Sequence, residues 1–305
     1  MIKERLFILI VVLIPVLLLA GFLKPEEKNP ILSSIPDYNR FWTRKVNSGF
    51  KFNGLIIGDS RTYRGVSPEA LASKIEGIKF FNFAFSAGGL NEEIFDAAEK
   101  RIEQNREKKI LLIGVTPWTL TPNSTGNNQL RTELARTHGE KLDRMYFSYY
   151  TRFFNPVKPS RYLTRNVKIP KELYHEDFMD NGWVASTLIP ENQKKAHKSS
   201  KESFNKNLVS AELLQQLLAR IRKWDESGIS VFVFRPPTTI ELREMEDKLS
   251  HFDEQLLIDG VNKSGGTYIK AELRKYHSYD GSHLSIESAI AFSEFLAEQI
   301  NRTGF

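Results

Sequence analysis

The sequence predicts an α/β protein, a parallel sheet covered on both faces by helices. Two observations predict it. Short, continuous apolar runs recur from Lys51 onward, without the alternation of a half-exposed sheet. Between most of them lie amphipathic stretches of helical period. Continuous apolar strands separated by helices imply a parallel sheet buried on both sides.

The strand segments are Gly54–Ile57, Lys79–Ala84, Ile110–Val115, Ser230–Phe234 and Thr267–Lys270. Helical periodicity fits Pro68–Ile75, Asn91–Gln104, Ala211–Trp224, Ile240–Val261 and Ser285–Asn301. In the last, Ile286, Ala289, Phe292, Leu296 and Ile300 share one stripe, and Ser285 is placed to cap its start.

Before the sheet region, Lys3 and Arg5 precede 18 uncharged residues from Leu6 to Leu23. A helix of that length just spans a bilayer. The run exceeds a usual signal-peptide core, and Leu18 before Ala20 makes a poor cleavage site. The expectation is an uncleaved anchor over residues 1–24, with a cleaved signal and then a buried core helix as the alternatives. The basic residues lie before the run, whereas Lys24–Lys28 balances two Lys with two Glu. The positive-inside rule then places the body outside the cytoplasm, in a bacterium the periplasm or outer face. Residues 25–50, with Pro25, Pro30 and Pro36, read as a linker and a short helix.

The chain has 305 residues, 41% hydrophobic and 26% charged, enough for one sizeable core. It has no cysteine, which excludes disulfides, thiolate metal sites and a thioether lipid anchor. The net charge of +6 is dispersed, with no dense Lys/Arg run among aromatics, which argues against nucleic-acid binding. His138, His175, His197 and His251 lack ligand spacing, so neither a metal nor another cofactor is expected.

Residues 117–207 interrupt the alternation. They are rich in Asn, Pro, Tyr and Phe and show no clear strand. A plain loop of that length is unusual. The segment reads as a partly helical insertion, either overhanging the strand ends or elaborating the surface.

Two short stretches carry chemistry. In "LIIGDSRTYRG" an apolar strand runs into Gly58-Asp59-Ser60, where a side chain can face the open carboxyl end of the sheet. In "YHSYDGSHLSIESAIAF" Asp280 and His283 are three apart, just before the final helix. An imidazole acting as general base needs a partner that fixes its tautomer and stabilises its charged form. Each residue alone is commonplace, a turn serine or a helix-start histidine. Together they make a Ser60–Asp280–His283 constellation.

These motifs resemble the SGNH/GDSL hydrolase superfamily. "GDSR" matches its nucleophile block, with Ser60, and "DGSH" its Asp-x-x-His block, with Asp280 and His283. "FNFAFSAGG", Phe81–Gly89, looks like the second block, which supplies an oxyanion-hole amide; Gly88 is the first choice and Gly89 the second. The third block departs: "IGVTPW" has Thr116 where the family's Gly-x-Asn has its Asn. The hole then has two donors, the backbone N–H groups of Ser60 and Gly88, or borrows one from Thr116 or a nearby Asn. The resemblance covers roughly residues 52–302. It implies a flavodoxin-like α/β/α sandwich with five parallel strands in the order 2-1-3-4-5, making residues 51–305 one SGNH-type domain with the insertion at about 117–207.

An anchored body, the missing Asn and a long insertion before the fourth strand resemble one branch in architecture. It comprises the alginate and peptidoglycan O-acetylation proteins and the D-alanyl transfer protein of teichoic acid synthesis. That likeness implies an acyl donor, a glycan acceptor in the envelope and a membrane-bound O-acyltransferase as partner. A non-catalytic scaffold of the same fold, binding glycan or that partner, is the alternative.

Three residues are candidates for binding substrate: Arg61 beside the nucleophile, Arg235 at another strand end and Trp183 as a sugar platform. Each has a plain structural reading as well: an ion pair, a carbonyl-bonding Arg before Pro236, and core packing. His277 reads as a surface residue.

Overall fold

The computed structural model describes residues 2–22, 32–147 and 172–304. Five parallel strands form one sheet: β1 (Gly54–Ile57), β2 (Phe80–Asn82), β3 (Ile110–Gly114), β6 (Ser230–Phe234) and β7 (Thr267–Ile269). Their order is β2-β1-β3-β6-β7. Counting only these five in chain order, that is 2-1-3-4-5. The register sets Leu55 beside Phe81 and Leu111, and Leu111 beside Val231.

Strand side chains alternate between two cores, as a period of two requires. Leu55, Ile57, Leu111, Ile113, Val231 and Val233 point to one. There they meet Phe95 of α5 (Glu92–Glu99), Leu217, Ile221 and Trp224 of α9 (Ala211–Glu226), and Val261 of α11 (Glu254–Lys263). Ile56, Leu112, Phe232 and Phe234 point to the other. They pack on Leu71 of α4 (Pro68–Ala72) and on the Ala289, Phe292, Leu296 and Ile300 stripe of α12 (Ile286–Arg302). Burial on both faces is why the strands read as unbroken apolar runs. Ser285 caps α12 by accepting the Ser288 N–H.

Two elements differ from the sequence expectation. The helix read over Ile240–Val261 is two helices, α10 (Ile240–Ser250) and α11. His251 adopts a left-handed conformation (φ +57°), and Asp253 caps a fresh start by accepting the Leu256 N–H. The short helix expected within residues 25–50 is α2 (Tyr38–Asn47), whose Phe41 and Trp42 are core residues. The insertion does contain strands: β4 (Leu173–Phe178) and β5 (Val184–Ile189) form an antiparallel hairpin. Its turn uses Gly182 at φ +86°, where a Cβ would strike the Asn82 carbonyl at 2.2 Å. The ladder of residues 173–178 carries polar side chains on both faces, so no apolar period marks it. The rest of the described insertion is helical turns, including α6 (Asn128–Leu134), α7 (His138–Leu142) and α8 (Lys195–Ser203). Residues 148–171 of the insertion lie outside the described set, as do Pro25, Pro30 and the Lys24–Lys28 flank.

Residues Ile2–Phe22 form one helix, α1, with Pro15 inside it. Among the described residues no helix is long and apolar enough to cross a membrane.

Candidate active site

The site lies at the carboxyl ends of β1 and β3. Gly58 and Gly114 make room there: a Cβ on either would strike the Thr62 Oγ1, at 2.3 and 2.0 Å. The short helix α3 (Ser60–Gly65) thereby packs directly on the strand ends. Asp59 caps it, accepting the Arg61 N–H at 3.0 Å, and Ser60 is its first residue. The sequence Gly-Asp-Ser thus combines a close approach, a cap and a half-buried hydroxyl.

On the other side, the chain before α12 turns back on itself at Gly281 (φ +90°). A Cβ at Gly281 would collide with the Gln193 carbonyl at 2.1 Å. The turn brings His283 Nδ1 to 2.8 Å from Asp280 Oδ2, and His283 Nε2 to 3.0 Å from Ser60 Oγ. Asp280 Oδ1 accepts the N–H groups of Ser282 and His283 at 2.8 and 2.7 Å. A carboxylate only accepts, so Nδ1 carries the hydrogen and Nε2 is left to accept from the Ser60 hydroxyl. Tyr279 stacks on the imidazole at 6.0 Å between ring centres.

Burial lowers the proton affinity of His283 below the ordinary imidazole range; Asp280 opposes that, and the Arg64 charge adds to it. Burial by itself would raise Asp280, but the His283 charge and the hydrogen bonds from the imidazole and the two amides hold it well below the usual carboxylate range. The pair at neutral pH is therefore a neutral base beside an anion, the state a general base requires.

Of the oxyanion donors expected from sequence, Gly88, Gly89 and Thr116 are engaged elsewhere, while among the described residues the Ser60 N–H stays open. The Gly88 N–H donates to the Phe85 carbonyl at 3.2 Å, and the Gly89 N–H to Asn127 Oδ1 at 2.8 Å. The buried Thr116 gives its hydroxyl hydrogen to Asp59 Oδ2 and its N–H to Thr119 Oγ1. All three are thus set back from the cleft by internal hydrogen bonds. Exposed residues Ser86 and Ala87 line the cleft instead, together with Ser60. Among the described residues the N–H groups of Ser60, Ser86 and Ala87 have no protein acceptor. Ala87 is left-handed (φ +51°), and its carbonyl accepts from Trp118 Nε1 at 3.2 Å. Sequence reasoning missed this position because it weighted glycine over the residue before it.

The substrate-binding candidates also divide. Arg61 lines the cleft, but its guanidinium forms a two-pronged ion pair with the buried Glu246, and its Nε donates to Ser282 Oγ at 2.8 Å. Arg235 is buried against Asp247, away from the cleft. Trp183 is 5% exposed in the second core, with its Nε1 donating to the Arg64 carbonyl at 2.8 Å. For Arg61 and Trp183 the packing realises the structural reading, whereas Arg235 pairs with the Asp247 carboxylate rather than with the carbonyl expected from sequence. His277 is exposed and pairs with Glu191 at 2.8 Å.

The cleft itself measures about 490 Å³. Trp118, Tyr174, Lys195, Ser199, Ser203 and Phe204 line it beside the triad residues. Tyr174 comes from the hairpin, and the next four from or beside α8, so the insertion forms one wall. Trp118 follows β3 by four residues; its place after a strand end was the signal that could have found it. Tyr174 had no such signal. Among the described residues no three His, Asp or Glu side chains converge as a metal-binding group.

No protein-family model matches the chain, and no curated protein matches it.

Proposed function

We propose that this protein is a serine-dependent acyltransferase or acyl esterase acting on a cell-envelope glycan. The observation that carries the reading is the continuous relay Ser60 Oγ–His283 Nε2, His283 Nδ1–Asp280 Oδ2, at 3.0 and 2.8 Å. It opens into a cleft large enough for a small acylated ligand.

The chemistry is acyl transfer in two halves. Ser60 Oγ attacks the acyl carbonyl while His283 Nε2 takes its proton, and Asp280 stabilises the imidazolium. The carbonyl oxygen becomes an oxyanion held by the Ser60 N–H and by that of Ser86 or Ala87. The intermediate collapses, the leaving oxygen takes the proton from His283, and the acyl group stays on Ser60. An incoming hydroxyl then gives its proton to His283, attacks the ester and frees Ser60. Water as that hydroxyl gives an esterase, and a sugar hydroxyl gives a transferase. The wall built by the insertion favours a bound acceptor over bulk water.

The place of action follows from the N-terminus. The uncharged run Leu6–Leu23 behind Lys3 and Arg5 supports a single anchoring helix with the body outside the cytoplasm. In that setting the acyl donor comes from the membrane side, and a membrane-bound O-acyltransferase is the kind of partner that would supply it.

The experiment is to incubate the full chain in detergent with an aryl acetate and look for acyl-Ser60 by mass spectrometry. The adduct should form in the wild type and be absent in Ser60→Ala. Complementation decides the competing scaffold reading, which rests on Thr116 standing where the resembled family has its Asn. A Ser60→Ala variant that fully restores glycan acylation in a deletion strain would defeat the enzymatic one.

A further inference from the structure

We propose that Tyr174, on the inserted hairpin, is a positioning residue of this site: its hydroxyl holds Asp280 from outside the sheet and restrains how strongly Asp280 raises the basicity of His283. The inference rests on reading Ser60, His283 and Asp280 as a catalytic relay, and it adds a fourth side chain, from a different part of the chain.

The geometry is direct. Tyr174 Oη donates to Asp280 Oδ2 at 3.2 Å, the same oxygen that accepts from His283 Nδ1 at 2.8 Å. The other oxygen is taken by the two backbone amides. Among the described residues Asp280 therefore has four donors, and Tyr174 is the only one of them outside its own turn. The phenol is fixed by its surroundings. Its ring meets Tyr279 edge-on at 6.2 Å, and the Lys195 ammonium and Arg64 guanidinium lie over it at 4.4 and 5.5 Å. The hairpin has two further fastenings to the same region. Glu176 pairs with Arg64, and Ser186 Oγ bonds Tyr279 Oη at 2.7 Å. Loss of the Tyr174 hydroxyl thus leaves the hairpin attached.

A hydrogen bond to a carboxylate withdraws charge from it, so a more fully satisfied carboxylate is a weaker partner for an imidazolium. Several groups act on His283. Asp280 and Tyr279 act from its own loop, and Arg61 and Arg64 from α3. Tyr174 and Glu176 stand on the hairpin, Lys195 on α8 lines the cleft, and Glu246 on α10 sits behind Arg61. Of these only Tyr174 and His283 place side-chain donors on Asp280.

The test uses the full chain in detergent and two changes at one position. Tyr174→Phe keeps the ring and removes the donor. The acid limb of kcat/KM for an aryl acetate should move up by about half a pH unit, with roughly threefold less activity on that limb and an unchanged melting temperature. The imidazole titration of His283, followed by NMR, should move the same way. Site-specific 3-fluorotyrosine at 174 makes a stronger donor without disturbing packing, and should move both downward. Both midpoints unmoved in the fluorinated protein, or moved upward, would overturn the proposal, whether or not Tyr174→Phe folds. If Ser60→Ala leaves the esterase activity intact, the catalytic reading fails, and the NMR titration alone still decides what Tyr174 does to His283.

Discussion

Thr116 gives its hydroxyl hydrogen to the Asp59 carboxylate at 2.7 Å, across the ends of the two neighbouring strands β1 and β3. Asp59 is thus tied both to its own helix and to the strand beside it, which fixes the turn that presents Ser60. Position 116 therefore supports the turn that carries Ser60, and under the proposed function oxyanion binding would fall to backbone amides. A hydrogen bond to a charged group contributes about 1.5–3 kcal/mol. Thr116→Val should lose stability of that order in urea titration. Its kcat should fall by much less than the roughly 10²–10³-fold expected when an oxyanion donor is removed. A loss in that larger range with stability unchanged would return Thr116 to the oxyanion hole.

His283→Ala should abolish acyl-enzyme formation as completely as Ser60→Ala, since members of a relay act as a unit and their losses do not add. Asp280→Asn should retain somewhat more activity, because the imidazole remains while its preferred tautomer is lost. Single-turnover release of aryl alcohol measures all three. An Asp280→Asn rate equal to wild type would remove Asp280 from the relay.

The pH profile follows from burial. Burial depresses His283 more than Asp280 restores it, so the base stays unprotonated into mildly acidic solution. The acid limb of kcat/KM should have its midpoint below the ordinary imidazole value of about 6.5, with activity falling as pH drops through it. A limb centred above that value would contradict the burial argument.

Lys45 offers a test away from the site. It is buried among the rings of Phe41, Trp42, Tyr63 and Phe85, 5.1–5.5 Å away, and its Nζ donates to the Gly182 carbonyl at 2.9 Å. Burial, with Arg101 nearby, holds its proton affinity well below that of a free lysine. The unfolded chain thus binds the proton more tightly, and wild-type stability should rise as pH climbs towards the ordinary lysine value. Lys45→Met removes that dependence. The stability of the Met variant relative to wild type should fall between pH 7 and pH 10, by up to about 1.4 kcal/mol per pH unit. Parallel urea midpoints at the two pH values would show that Lys45 keeps its proton when folded.

Much of this was legible because it is local. Buried strands must be apolar on both faces, which marked all five, and the Ser60, Asp280 and His283 side chains lie in short motifs at element ends. What escaped was non-local. The break at His251 depends on one left-handed residue and a new cap, neither of which interrupts the apolar period of the flanking helices. The hairpin's polar ladder hides its period, because its partners are Arg64, Tyr279 and Asp280 rather than a uniform core.

By itself the sequence determined the parallel sheet, its flanking helices and the two motifs that meet above it, because burial and turn chemistry act over a few residues. Only the tertiary structure decided which donors remain free at the site. Gly88, Gly89 and Thr116 are each occupied by groups 3 to 57 positions away in the chain, while Ala87 is left open. Only it brought Tyr174 to Asp280 across 106 positions. Hydrogen bonds saturate, so which group is free depends on every neighbour in space, and no stretch of sequence contains those neighbours.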